Sequence, residues 1–236
     1  MMNIELDFIK EMFDSIAPKY DFLNRFLSLR QDIHWRRELV VAAEIPDKSK
    51  VIDIACGTCD VALEIKKQNK NEIQVFAADF SPGMLKLGKK KISGKGENKT
   101  IHLITANALE LPFKKDIFDA VFIAFGIRNI MDRKAALIGF YNSLKRGGKV
   151  AILELTTPHR KIVKGFYMFY FKKILPAFGT VFSKNSGAYH YLPASVIKFP
   201  SPQNFAFIMK NAGFSEIKWK RMTFGIVTLF VGTKNI

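Results

Sequence analysis

From residue 50 to residue 155 the chain repeats one pattern: a short β-branched or aromatic run, a turn of small or polar residues, then a stretch compatible with an amphipathic helix. The run that starts at Lys50, and those at Gln74–Asp79, Ile101–Thr105, Phe118–Phe125 and Lys149–Leu155, read as strands buried on both faces. Helices follow from Asp60, from Pro82 behind a Ser81 cap, this one ending in a basic run from Lys86 to Lys99 that reads as a solvated surface, and from an Asp132 cap to Lys145, after which Gly147 and Gly148 turn the chain. Strands and helices alternating at this spacing predict parallel crossovers in an α/β sheet. Ahead of this block, residues 4–45 read as helical with a break at Ala17-Pro18, because proline removes a backbone donor and disfavours helix in the residue before it. Near the end, Gln203–Asn211 reads as a helix stopped by Gly213, and Ser215–Met222 followed by Ile226–Gly232 as a hairpin that completes the sheet.

Candidate chemistry collects at the carboxyl ends of the strands, where open α/β sheets bind ligands. The stretch Asp53-Ile54-Ala55-Cys56-Gly57-Thr58-Cys59-Asp60 runs from strand through tight turn to helix start, and small residues in such a turn let a cofactor approach the backbone. Asp79 ends the second strand 22 residues after Gly57, where an acid can accept both hydroxyls of a ribose. Dinucleotide oxidoreductases and S-adenosylmethionine methyltransferases share this arrangement. A strict G-x-G-x-x-G is absent, whereas an acid followed by alternating small residues fits Asp53, Ala55 and Gly57 and fails at Cys59. The turn therefore favours a methyltransferase over a dehydrogenase or another α/β protein. Asn107, after the third strand, offers an amide donor and acceptor to an adenine edge, with a turn-forming Asn as the competing reading. Arg128 lies just beyond the carboxyl end of the fourth strand. Cys56-Gly57-Thr58-Cys59 is also a C-x-x-C at a helix start, so redox chemistry is a rival that ranks well below the cofactor turn; zinc ranks lower still, for want of a second cysteine pair. His34 and Trp35 read as packing residues, and spacing alone favours a packed extension over a substrate cover for Phe13–Asp21.

Charge changes the picture in one region. Lys and Arg number 37 against 21 Asp and Glu, a formal net charge of +16, which attracts nucleic acid or an anionic membrane. Between Leu155 and Ser215 there is no acid, while Arg160, Lys161, Lys164, Lys172, Lys173, Lys184, Lys198 and Lys210 supply positive charge. The connection between the fifth strand and the last helix is far longer than usual, and such loops are commonly functional. It carries the aromatic run Phe166-Tyr167-Met168-Phe169-Tyr170-Phe171 between lysine pairs. That run suits interfacial insertion or a lipid-tail groove, a platform for single-stranded nucleic acid, or an ordinary buried helix. Two cysteines cannot build a disulfide framework and point to a reducing compartment. The N-terminus lacks the features of a secretory or transit signal, and no unbroken apolar run approaches ~18 residues, so membrane contact is expected to be peripheral.

Several stretches together resemble the ubiquinone/menaquinone biosynthesis C-methyltransferases: Phe13–Asp21, Val51–Ala55, Asn107-Ala108 with Leu111-Pro112-Phe113, Phe125-Gly126-Ile127-Arg128-Asn129, and Ala188–Ser195 with its Tyr-Leu-Pro-Ala-Ser. The resemblance covers almost the whole chain. It implies a Rossmann-like class I S-adenosylmethionine methyltransferase with a mostly parallel seven-stranded sheet and an antiparallel C-terminal hairpin. As one domain, residues 1–46 would be a helical cover, 47–155 the cofactor core, 156–200 a substrate and membrane insertion, and 201–236 the last helix and hairpin. The implied reaction is C-methylation of a polyprenylated quinol, demethylmenaquinol first, with the benzoquinol of ubiquinone biosynthesis or an RNA substrate as alternatives. Thr58, Asp79, Asn107 and Ala108, with Asp53 and Gly57, would bind the cofactor. Arg128 would stabilise the quinol oxyanion, and a water or His190 would be the base, with no metal. The implied setting is cytoplasmic, peripheral to the inner face of an anionic membrane, without specific nucleic acid and with homo-oligomers allowed. The sequence departs from the family's usual Gly-Gly-Thr-Gly turn at Cys56 and Cys59, and carries Ala124 where some members have Ser.

Overall fold

The computed structural model describes residues 4–69, 72–170 and 187–235. Its sheet has seven strands: β1 Lys50–Ile54, β2 Gln74–Asp79, β3 Ile101–Thr105, β4 Phe118–Ala124, β5 Leu144–Leu155, β6 Ser215–Met222 and β7 Val227–Thr233, in the order β3-β2-β1-β4-β5-β7-β6. β3 through β5 are parallel, with Val51 opposite Val75 and Ala120, whereas β7 runs antiparallel to both β5 and β6. Period-two alternation sends successive apolar residues of each central strand to opposite faces, and both faces are covered. Val51, Val75, Phe122 and Leu153 pack against Leu39 and Val40 of α2 (Gln31–Ala43), Val61 and Ile65 of α3 (Asp60–Gln68) and Leu85 and Ile92 of α4 (Pro82–Gly94). Ile52, Ile54, Val121 and Ile152 pack against Leu137 and Phe140 of α5 (Arg133–Ser143) and, further along the chain, Phe205 and Met209 of the helix Pro202–Asn211. The edge strand β6 alternates exposed and partly covered positions, and exposed Lys218 and Lys220 discourage pairing with another sheet.

Local caps behave as the sequence predicts: the Ser81 hydroxyl accepts from Met84 N at 3.1 Å, and the Asp132 carboxylate from Ala135 N at 2.8 Å. Two boundaries differ. The first helix, α1, is continuous over Ile4–Leu27 through Pro18, and the break falls later, where Leu29 and Arg30 adopt φ of 51° and 63°. One missing backbone bond at a proline is tolerated because Ala17 and Leu23, on either side of it, are buried against the body of the protein, and tertiary packing outweighs local propensity. The helix expected to reach Lys145 ends at Ser143, because Leu144 already pairs with Phe118; Ala120 is opposite Lys149, so residues 145–148 bulge out of the ladder through Gly147 at φ 75°.

The long insertion contains α6 (Lys161–Phe169) and α7 (Gly187–Lys198), followed by α8 (Pro202–Asn211). Phe171, Lys172, Lys173 and Lys184 lie outside the described residues, as does the side chain of His190 within α7. No described helix is long and apolar enough to cross a membrane.

The cysteine departure has a packing partner. Cys59 takes φ 67°, the left-handed region that favours glycine, and its fully buried side chain occupies a niche on α4 where Gly88 has none: a Cβ on Gly88 would lie 2.5 Å from the Cys59 Sγ. Gly88→Ala is therefore expected to destabilise the protein by ~1–3 kcal/mol in urea unfolding, against the gain of up to ~1 kcal/mol that Gly→Ala brings to an unobstructed helix. Adding Cys59→Ala should recover most of the loss. A Gly88→Ala protein as stable as the wild type would show that the niche is not tight.

Candidate active site

The site begins with the turns that follow two neighbouring strands, β1 and β4. After β1, Ala55, Gly57 and Cys59 all have positive φ, and after β4, Phe125 does as well, at 58°. Gly126 lets the two turns approach closely, since a Cβ there would meet the Ala55 Cβ at 2.7 Å. Asp79, buried at the end of β2, locks the first turn: its carboxylate accepts from Gly57 N at 2.8 Å and from Ser81 N at 2.9 Å. Burial raises its pKa, with the two backbone bonds pulling the other way.

A cavity of about 110 Å³ opens above these groups. Gly57, Asp79, Asn107, Ala108, Ala124, Gly126 and Asn129 line it from the sheet, while Ile9, Phe13 and Tyr20 of α1 close it from above. The Asn107 side-chain oxygen accepts from Leu109 N at 3.0 Å, so the residue forms its turn while also lining the cavity. A smaller cavity of about 20 Å³ lies beneath the turn, lined by Asp53, Gly57, Thr58, Asp60, Tyr20 and Arg36. Asp53 is buried there and neither carboxylate oxygen has a hydrogen-bond partner among the described residues. Burial pushes its pKa up to about 8, against the Ala62 backbone amide and the Arg36 charge, which lower it.

A second, apolar cavity of about 180 Å³ adjoins the first. The two share Phe13, Tyr20 and Phe125, and the left-handed turn at Phe125 sets its ring against Trp35, at 6.0 Å between centroids, and beneath the Arg36 guanidinium at 5.4 Å. Met12, Ile16, Leu23, Trp35, Leu155, Leu192 and Ile226 supply apolar wall, and Tyr167, Tyr170 and Tyr191 bring hydroxyls. Burial pushes the Tyr170 hydroxyl up to about 12 and the Tyr167 hydroxyl higher, so both stay protonated at neutral pH. Arg128 lines the same cavity but is not a lone cation. Its Nη1 lies 2.7 Å from Glu154, whose fully buried carboxylate also accepts from Arg128 N at 3.0 Å and Leu155 N at 2.8 Å. Burial would lower the pKa of Arg128, but Glu154 outweighs it, with Tyr20 and Tyr191 adding to the net rise.

Polar pairs tie α1 down over both cavities. Ser81 donates to Asp14, and Gly83 lacks the Cβ that would block that carboxylate. Thr58 donates to Asp21 at 2.6 Å, Lys91 to Asp21 at 2.8 Å, and Arg25 to Asp60 at 2.8 Å. Burial works to raise the Asp60 pKa, but Arg36, Lys91 and Arg25 bring it down to about 2. The stretch Phe13–Asp21 is thus a wall of the site, where spacing alone favoured a packed extension.

The ubiE/COQ5 methyltransferase family matches residues 1–234. The chain belongs to that family. It is 43% identical over 97% of its length, and 89% of the relative's, to the ubiquinone/menaquinone biosynthesis C-methyltransferase UbiE of Geobacter sulfurreducens. It is 40% identical over 94% of its length, and all of the relative's, to the demethylmenaquinone methyltransferase of Thermus thermophilus. Among solved structures, a SAM-dependent methyltransferase of Thermotoga maritima superposes with a TM-score of 0.67 at 18% identity, over 96% of this chain and 99% of that one, which shows the shared fold.

In this ubiE/COQ5 member the residues expected to serve the cofactor come together around the first turn: Gly57, Asp79, Asn107 and Ala108 at the upper cavity, Asp53 and Thr58 beneath it. Arg128 belongs to the second cavity, and the described residues do not settle His190. The redox reading of the cysteine pair fares worse. Both thiols are buried, and burial together with Cys59, Asp79 and Asp53 drives the Cys56 pKa up, opposite to what a reactive thiolate needs. Lys91, taken for part of a solvated run, reaches inward to Asp21, Thr58 and Asp60, while His34 is exposed and does not pack. Trp35 does pack, and also walls the second cavity, donating to the Thr223 hydroxyl at 2.8 Å. Sequence reasoning missed Glu154, although an acid at the carboxyl end of an otherwise apolar strand is a signal of the same kind as Asp53.

Because the folded-state pKa of Asp53 lies above its ordinary value of 3.8, the folded protein holds that proton more tightly than the unfolded chain. Stability is then fully present below about pH 4 and is lost as pH rises towards about 8. Asp53→Asn should raise the stability of the ligand-free protein at pH 8 by ~1–3 kcal/mol in urea unfolding while changing it little at about pH 4. Parallel pH profiles for the two proteins would refute an ionising Asp53.

Proposed function

We propose that this protein transfers a methyl group from S-adenosylmethionine to a ring carbon of a polyprenylated quinol, demethylmenaquinol first among them. The observation that carries the reading is the pair of adjoining cavities that share Phe13, Tyr20 and Phe125: one with Gly57, Asp79, Asn107 and Asn129 set in a largely apolar lining, the other more apolar still, with Arg128 in its wall. The residues fit the cofactor, since Gly57 lines the cavity without a side chain, a Cβ there meeting only Tyr20 Cε1 at 3.8 Å, and Asp53 is a buried carboxylate with no hydrogen-bond partner among the described residues. Asp79, Asn107 and Ala108 would hold its nucleoside, with Gly57, Thr58 and Asp53 around its remainder. When bound, it supplies an electrophilic methyl on a good leaving group.

The chain's own task is to make the ring carbon nucleophilic and to aim it. A phenolic hydroxyl with a pKa of about 10 resists ionisation at neutral pH, and a guanidinium beside the oxygen lowers that barrier. Arg128 stays charged and acts as an electrostatic stabiliser. The apolar wall and the α1 cover exclude water and hold the ring in line. His190 or a water molecule would accept the final proton.

The decisive experiment supplies purified protein with S-adenosylmethionine and either demethylmenaquinol or the demethylated benzoquinol, alongside calorimetric titration of S-adenosylhomocysteine and NAD. Methylation of the naphthoquinol and binding of S-adenosylhomocysteine are expected. Tight NAD binding with no S-adenosylhomocysteine binding would overturn the reading. Arg128→Gln should keep the S-adenosylhomocysteine affinity and lose turnover by about 100-fold, with partial recovery as pH rises. An unchanged rate across about pH 6 to 9 would remove Arg128 from the chemistry.

The same reading includes peripheral docking on an anionic membrane. On α6, Ile162, Phe166 and Phe169 share one face at helical spacing and are 76%, 73% and 58% exposed, while Tyr167 on the opposite face lines the apolar cavity. Arg160, Lys161 and Lys164 surround the start of that face and are exposed. Lysines are screened by salt, whereas apolar insertion is not. Sedimentation with anionic liposomes should therefore persist in part at ~0.5 M salt and vanish when Ile162, Phe166 and Phe169 are replaced by Ser. Sequence-selective RNA binding that survives the same substitutions would point to the nucleic-acid alternative.

A further inference from the structure

We propose that Glu154 is a positioning residue for Arg128, fixing which edge of the guanidinium faces the apolar cavity and limiting the positive field felt there. The proposal rests on the quinol reading. Glu154 ends the buried part of β5 and is 0% exposed. Its carboxylate grips both the backbone N–H and the Nη1 of Arg128, and Nη1 also donates to the Phe125 carbonyl, so one corner of the guanidinium is held from two sides. The Nε of Arg128 is buried and has no hydrogen-bond partner among the described residues. A donor left so is unfavourable until an acceptor arrives, and Arg128 lines the cavity from which an oxygen would come.

The pairing has two separable consequences. Geometrically, a guanidinium clamped at one corner cannot turn, so its remaining N–H groups keep one direction. Electrostatically, a carboxylate 2.7 Å from Nη1 offsets most of the cation, so a phenol in the cavity senses the pair and not a whole positive charge. An ion pair too far from the bound ring to act on it would show its loss only in stability.

Two substitutions divide these effects. Glu154→Gln removes the charge, and Glu154→Asp keeps it while retracting the carboxylate by one methylene. 2-Naphthol serves as an ionisable probe, its absorbance reporting the pKa of the bound phenol in protein saturated with S-adenosylhomocysteine, without methyl transfer. In Glu154→Gln the bound naphthol should titrate about one unit lower than in the wild type, because the full Arg128 charge now favours the anion. In Glu154→Asp it should titrate as in the wild type, while turnover of demethylmenaquinol per S-adenosylhomocysteine-binding site falls by about 10-fold to 100-fold. A naphthol pKa that is identical in wild type and Glu154→Gln, or Glu154→Asp turnover equal to that of the wild type, overturns the proposal. A wild type that shifts the naphthol pKa in concert with Glu154 but methylates no quinol overturns the quinol reading and leaves the positioning role standing.

Discussion

At the carboxyl ends of β1 and β4 the backbone enters the left-handed region at Ala55, Gly57, Cys59 and Phe125, and every feature of the site follows from it. A non-glycine residue there is unfavourable by roughly 1–2 kcal/mol, and three of these four carry a Cβ. The strain persists because the flanking strands are held on both sides in a sheet buried on both faces. With the order β3-β2-β1-β4-β5, the β1 and β4 ends are where the chain's progression across the sheet reverses. That is the point at which an open α/β sheet parts to admit a ligand. Gly126 and Gly88 let the strained turns pack, one against Ala55 and the other against Cys59.

Buried charge around this crevice falls into two classes. Asp60, with its pKa held at about 2 by Arg36, Lys91 and Arg25, and Asp21, bonded to Thr58 and Lys91, are satisfied within the protein and fasten α1 over the site. Asp53 and the Nε of Arg128 are buried without partners among the described residues, and they face the two cavities. A fold keeps groups of the second class at a cost in stability. Glu154 belongs to the first class. It satisfies three donors while deciding how much of Arg128 a ligand can feel.

The insertion joins the crevice to the outside. α6 presents Tyr167 to the apolar cavity and Phe166 and Phe169 to solvent, so one short helix serves as cavity wall and as exposed apolar face. The surround of that face is basic and free of acids, which makes the local potential positive. A substrate with a polar ring and a long hydrocarbon tail needs both properties side by side, and here they are a single helix turn apart.

The alternation of apolar runs with helical stretches was enough to specify a parallel α/β sheet and its closing hairpin, because strands buried on both faces must be apolar at nearly every position. Motif spacing was enough to gather Gly57, Asp79, Asn107 and Ala108 around one cavity, since residues just past strand ends in such a sheet converge whatever the helices do. Pro18 misled because a local rule predicted a break that long-range packing overrode, and Lys91 because a basic run looks the same whether its lysines point outward or into an ion network. Only the tertiary structure could pair Arg128 with Glu154, 26 residues apart, or set Phe125 between the cavities and Gly88 under Cys59. Pairings of that kind depend on which strands become neighbours and on the sign of a few backbone angles, and neither is written in the spacing of residue types along the chain.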